Sequence, residues 1–314
     1  MQSITSKFLI DSKAGRFDQS LNDPALAAAR GRLCASMARQ KLGQHFLNSP
    51  AWQNRILEKL PSAPGETWVE IGAGQGQLTQ HLAKRSRRLI AIETDPLLAE
   101  NLRKQVAAFP ETWPNVEIAE GDVLSLDIGA LVGASTGKPG ESGVGDGRFR
   151  VYGNLPYYIT SPILHHLFQW ADRIDSIHIV IQLEVAERIA AKPGTRDYGY
   201  LSVACQYFAR PQIALKIPPG AFRPPPKVQS ALVAMTMPGQ RSGLAVSRDA
   251  AFLRFVQACF AQKRKTLRNN LLAIAPDERI QRALADVGLP SDARAEALLL
   301  PQFADLMRNI EGRS

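Results

Sequence analysis

The chain has 314 residues, 45% of them hydrophobic and 21% charged, with a formal net charge of +9. That length suits a main domain plus a smaller one, with enough apolar material for a substantial core. There is no run of eighteen apolar residues, no secretory-type leader, and no metal or disulfide spacing among Cys34, Cys205 and Cys259, a pattern that argues against a membrane span and suits a reducing cytoplasm.

In chain order, residues 1–38 show weak periodicity and read as a loosely ordered basic extension. A β-rich run at Thr67–Ile71 leads into Gly72-Ala73-Gly74-Gln75-Gly76 and a helical stretch over 77–85. The pattern continues with a strand at 88–92 ending on Glu93, a helix at 96–107, and a strand at 116–119 ending near Gly121-Asp122. Across 129–147, seven of nineteen residues are glycine and none is aromatic, which reads as a flexible surface insertion. A fourth strand at 149–152 runs into Gly153-Asn154-Leu155-Pro156-Tyr157, followed by a helix over 161–171 and a strand at 177–181. Strands separated by helices predict an α/β fold with a parallel sheet covered on both faces.

After about residue 210 the pattern turns to Pro-rich segments and two strand-like runs, 212–217 and 228–237. Beyond Gly243 only helical segments follow, at 249–261, 262–273, 277–287 and 301–311. Pro238, Gly239 and Gly243 mark a boundary, giving a domain over 39–240 and a small helical domain over 241–314. Positive charge gathers at the ends: 1–41 holds seven Lys/Arg against three Asp/Glu, and 238–314 twelve against eight. Such flanks suit a polyanion, or are simply a solvated surface.

The GxGxG turn at Gly72–Gly76 lets backbone approach a ligand closely at the start of a helix, although glycine also makes ordinary tight turns. Glu93 lies 21 positions after Gly72, where a carboxylate can accept both hydroxyls of a ribose. Asp122 is placed to accept from an adenine amino group. Together they favour a nucleoside-bearing cofactor; the alternative is that both acids cap the helices that follow them. Asn154-Leu155-Pro156-Tyr157 offers an amide oxygen and a backbone carbonyl to the two N–H bonds of an exocyclic amine, with Tyr157 to stack on the base. An Asx turn closing a strand, with Tyr157 in the core, is the structural alternative. His165, His166 and His178 show no metal spacing and read as structural, and Cys205 as a core residue; no metal is expected.

Five blocks, in order, carry a resemblance: Lys41-Leu42-Gly43-Gln44-His45-Phe46-Leu47, Val69-Glu70-Ile71-Gly72-Ala73-Gly74, Gly153-Asn154-Leu155-Pro156-Tyr157, Phe222-Arg223-Pro224-Pro225-Pro226-Lys227-Val228, and Gln262-Lys263-Arg264-Lys265-Thr266-Leu267-Arg268-Asn269-Asn270. The chain resembles the ribosomal RNA adenine dimethyltransferases of the KsgA/RsmA type. The resemblance implies a Rossmann-like seven-stranded methyltransferase sheet with a small all-helical C-terminal domain. It implies S-adenosylmethionine as donor and dimethylation at N6 of two adjacent adenosines in the 3′-terminal hairpin loop of small-subunit rRNA. A monomer acting on the pre-30S particle in ribosome biogenesis is expected. The donor-binding positions fall on His45, Leu47, Gly72, Gly74, Glu93, Asp122 and Asn154, and the catalytic ones on Asn154, Leu155, Pro156 and Tyr157.

Tyr158 stands where many members have Asn. The resemblance places Phe222 on the wall of the adenine pocket, with a rigid sheet connection as the ordinary alternative. Lys263, Arg264, Lys265 and Arg268 are expected to hold RNA from a helix start, Arg264 and Arg268 on one face with Lys263 and Lys265 flanking it; a plain solvated face is the alternative. Competing readings are a large-subunit rRNA or DNA adenine methyltransferase, and an RNA-binding assembly factor in which catalysis is secondary. Intact Glu93, Asp122 and Asn154 to Tyr157 argue against lost catalysis.

Overall fold

The computed structural model describes residues 45–62, 65–133, 147–244 and 246–312, so the expectation for 1–38 lies outside the described residues. The first half runs β1 (Phe46–Leu47), α1 (Pro50–Lys59), β2 (Thr67–Ile71), α2 (Thr79–Ala83), β3 (Arg88–Glu93), α3 (Pro96–Ala108), β4 (Val116–Glu120), α4 (Ile128–Gly133) and β5 (Phe149–Asn154). The second runs α5 (Thr160–Leu167), β6 (Ile174–Gln182), α6 (Leu183–Ile189), α7 (Tyr200–Phe208), β7 (Arg210–Ile217), β8 (Phe222–Arg223), β9 (Ser230–Thr236), α8 (Asp249–Cys259), α9 (Leu267–Leu271), α10 (Asp277–Asp286) and α11 (Leu300–Glu311).

Seven strands form one sheet in the order β4-β3-β2-β5-β6-β9-β7. Only β9 is reversed, pairing antiparallel with both β6 and β7. The central strands are apolar enough to be covered on both sides, and every residue of β2 and β3 is buried. From β2 the chain moves outward to β3 and β4, then returns to β5 on the other side of β2. That reversal opens a crevice at the carboxyl ends of β2 and β5, where open α/β sheets bind ligands. A second, two-stranded sheet pairs β1 with β8, Phe46 opposite Arg223 and Leu47 opposite Phe222.

The glycine-rich insertion begins later than its composition suggests. Residues 129–133 belong to α4, with Gly129 and Val132 buried, while 134–146 lie outside the described residues. Gly129 is required there because a Cβ would collide with the indole of Trp170. An aromatic from another segment supplies the packing that the run itself lacks.

The described residues cluster as one compact unit. Phe252, Phe255 and Val256 of α8, Leu267 of α9 and Phe303 and Ile310 of α11 join the same buried cluster as Ile177, Ile179 and Val233 of the sheet. At the expected boundary the chain is held down: Gly239 N–H donates to the Phe208 carbonyl at 2.7 Å, and a Cβ at Gly239 would meet the backbone of Gln206 at 2.6 Å.

Candidate active site

Gly72, Gly74 and Gly76 all have left-handed φ, at +73°, +60° and +84°, so the turn after β2 is one that L side chains resist. The three differ in what surrounds them. Gly76 packs against Trp113 and Leu102 and serves the fold. At Gly72 a Cβ would meet one atom within 4 Å, the Asn154 carbonyl at 3.7 Å, so the space between the ends of β2 and β5 is open.

Glu93, at the end of β3, is 2% exposed. Its Oε2 accepts Gly74 N–H at 2.7 Å and its Oε1 accepts Asp95 N–H at 2.9 Å. Burial pushes its pKa above the ordinary carboxylate value, against the pull of these donors. Capping of α3 falls to Asp95, whose Oδ1 accepts from Leu97 N at 2.9 Å and Leu98 N at 3.3 Å. The capping alternative for Glu93 is therefore excluded. Each of its oxygens keeps a lone pair, enough for two further hydroxyl donors. Asp122 is exposed, and its Oδ1 closes a local turn on Leu124 N at 3.0 Å. That oxygen closes a turn and caps no helix, since Asp127 Oδ1 takes Ala130 N of α4 at 2.9 Å, and Oδ2 is left for another donor.

At the end of β5, Asn154 Nδ2 donates to the His45 carbonyl at 2.8 Å. A carbonyl can only accept, so the amide nitrogen must face His45 and Oδ1 must turn away as an acceptor. Leu155 is buried and its N–H donates to the Val180 carbonyl at 3.1 Å. The Pro156 carbonyl is taken by Ile159 N–H at 3.2 Å, which leaves the Leu155 carbonyl as the second acceptor beside Oδ1. Tyr157 is held at its tip by Ser230 Oγ, 2.7 Å from its hydroxyl, and its half-buried ring lies 5.7 Å from the His45 ring at 30°. His45 donates from Nδ1 to the Pro224 carbonyl at 2.7 Å, tying β1 to the segment after β8.

The ribosomal RNA adenine dimethylase family model matches residues 35–311. The chain belongs to this family. Its relatives include "Ribosomal RNA small subunit methyltransferase A" of Acidobacterium capsulatum, 45% identical over 275 residues, 87% of this chain and 92% of that protein. The protein of the same name from Koribacter versatilis is 41% identical over 292 residues, covering 91% and 99%. Among solved structures, a dimethyladenosine transferase from Plasmodium falciparum superposes with a TM-score of 0.70 at 22% identity, covering 86% of this chain and 98% of that one, and so shares the fold. The 23S rRNA methyltransferase ErmE gives a TM-score of 0.59 at 27% identity, covering 85% and 99%.

Other expected site residues of this dimethylase fall elsewhere. Phe222 is 1% exposed and packs with Leu47, Ile56, Trp68 and Tyr152, so its ring is core and stands on no wall that a base could reach. Leu47 is likewise buried in side chain, and only its backbone runs along the two-stranded sheet. The expected helix over 262–273 exists only as Leu267–Leu271. Thr266 caps it, and Asn270 reaches back to bind the Cys259 carbonyl at 2.8 Å and the Gln262 carbonyl at 3.2 Å, which folds 262–266 into a turn. Lys263, Arg264 and Lys265 are exposed on that turn, and Lys263 Nζ donates to the Arg196 carbonyl at 2.7 Å. Arg268 is on the helix but ion-paired with Asp277 at 2.5 Å. The four cations therefore do not share a helix face.

Sequence reading missed Ser230, which fixes Tyr157, and Phe46, whose ring would lie 3.1 Å from a Cβ at Gly74 and so covers the glycine turn. Their spacing carries no signal; the pairing of β1 with β8 is what brings 46–47 and 222–223 together.

Proposed function

We propose that this protein transfers methyl groups from S-adenosylmethionine to N6 of two adjacent adenosines in the 3′-terminal hairpin loop of small-subunit rRNA, during maturation of that subunit. The observation that carries this reading is Asn154: its amide is pinned through Nδ2, so Oδ1 stands as an oriented acceptor at the end of β5 beside the open space at Gly72. The donor set fits a nucleoside, with a buried carboxylate at Glu93 steadied by the glycine turn, Asp122 Oδ2 for an amino group, and His45 alongside. S-adenosylmethionine, when bound there, supplies an electrophilic methyl group on a sulfonium.

The chain's own residues raise the nucleophilicity of the amine. An adenine amino group is a weak nucleophile because its lone pair is delocalised into the ring. Asn154 Oδ1 and the Leu155 carbonyl accept its two N–H bonds and favour the pyramidal nitrogen, whose lone pair is available. Both acceptors gain strength as positive charge grows on the nitrogen, which is stabilisation specific to the transition state. Tyr157 holds the base in line by stacking. No base is needed before attack, since the cationic nitrogen releases its proton to water afterwards.

The test is methylation of purified small and large subunits from cells lacking this modification, read by mass spectrometry of the RNA. The expected result is N6,N6-dimethyladenosine at two adjacent positions in small-subunit RNA. The likeness to ErmE supports one second reading, a large-subunit target. Methylation confined to large subunits would select it, and transfer to neither would overturn both.

A further inference from the structure

Tyr158 is 65% exposed, the highest exposure among the large apolar side chains of the described residues. It sits in a one-turn 3₁₀ segment, Tyr157–Ile159, where successive side chains point about 120° apart. Tyr157 is turned inward, tied to Ser230 and set against His45. Tyr158 is turned out, one residue step away, and consecutive Cα atoms are about 3.8 Å apart. Segment 223–229 is tied nearby at both ends, the Pro224 carbonyl accepting from His45, whose ring lies against Tyr157, and the next residue, Ser230, bonding Tyr157 itself. It exposes Arg223, Lys227 and Val228, the last 45% exposed, and contains no acid.

We propose that Tyr158 is a stacking platform for the nucleotide next to the target adenine. The inference rests on the RNA reading above and adds a positioning residue to it. An adenine drawn into the Tyr157 site leaves its strand neighbour without a stacking partner. That neighbour is covalently tied within one nucleotide step of the site, and Tyr158, one residue from Tyr157, is an exposed aromatic adjoining it in the chain. Two cations and an exposed apolar side chain on segment 223–229 complete the chemistry that holds single-stranded nucleic acid, charge for phosphate and ring for base. Stacking is indifferent to base identity, so the platform would serve whichever adenosine is waiting while the other reacts.

The experiment uses the whole protein and a hairpin RNA with 2-aminopurine beside the target adenosine. Stacking on an aromatic ring quenches this probe. Wild type and Tyr158→Phe should quench it, and Tyr158→Ala should leave it bright. Tyr158→Ala should raise KM for the RNA on the order of tenfold. The single-turnover rate at saturating RNA should change far less than KM does. Equal quenching and equal KM for wild type and Tyr158→Ala would overturn the proposal while the functional reading stands. A loss of single-turnover rate with unchanged quenching would overturn it too, by making the role structural. If wild type transfers no methyl group to small-subunit RNA, the functional reading fails, and the platform falls with it.

Discussion

The two ends of the site depend on single side chains whose freedom has been removed. Glu93 is buried and clamped by two backbone N–H groups, so it meets a ligand without rearranging. Charge-assisted bonds to a ribose should make Glu93→Ala weaken S-adenosylmethionine binding by about 1–3 kcal/mol, measured by calorimetry. Tight binding of a nicotinamide dinucleotide and none of S-adenosylmethionine would contradict the assignment. Asn154 is fixed by one hydrogen bond to the His45 carbonyl. Asn154→Ala should therefore cost far more in single-turnover rate than in RNA affinity, because the lost acceptor matters most as charge develops on the amine. A variant that methylates as fast as wild type in a single turnover would show that Oδ1 is a bystander.

At the scale of elements, the turn over 262–266 replaces an expected helix, and this changes which cations are free to act. Lys and Arg favour helices, so a run of them after an apolar helix reads as more helix. Thr266 and Asn270 decide otherwise, one by capping and the other by binding carbonyls upstream. Arg268 is neutralised by Asp277, which leaves Lys263, Arg264 and Lys265 as the candidates for phosphate. Replacing those three by Gln should flatten the salt dependence of RNA binding by about 2 in log K against log salt, with S-adenosylmethionine affinity unchanged. Arg268→Gln should leave that slope almost untouched. An unaltered slope in the triple variant would place the RNA grip elsewhere. The same contrast explains what was legible. Five strands of the main sheet announce themselves by alternating with helices, β7 and β9 only as strand-like runs among prolines, and Glu93, Asp122 and Asn154 by standing at strand ends. The two-residue strands β1 and β8 are too short to show a period, and the reversed position of β9 depends on pairing that no local pattern records.

Across the whole molecule, the middle of the sheet carries a polar row that apolar strands would not suggest. Glu70, Tyr152 and His178 are register partners on β2, β5 and β6, all buried. Glu70 Oε2, the Tyr152 hydroxyl and His178 Nδ1 have no hydrogen-bond partner among the described residues. Burial pushes the Glu70 carboxyl up to about 8, with the charge of Glu93 adding to the rise, and burial pushes His178 down to about 4, helped by Arg150. Near neutral pH both groups therefore stay uncharged in the fold, and the two act on stability in opposite directions. Glu70 has a raised pKa, so its contribution is complete below the unfolded value of 4.5 and is lost as pH climbs through about 8. His178 has a lowered pKa, so its contribution is complete above 6.5 and is lost as pH falls toward about 4. Substituting Glu70 separates them, because His178 is common to both proteins. Glu70→Gln mimics the protonated acid, so it should match wild type in urea unfolding near pH 5. By pH 8.5 it should be more stable than wild type, on the order of 3 kcal/mol, since only the wild type must then bury a carboxylate. A stability gap that stays constant between pH 5 and 8.5 would mean that Glu70 is ionised throughout and finds a partner for its charge.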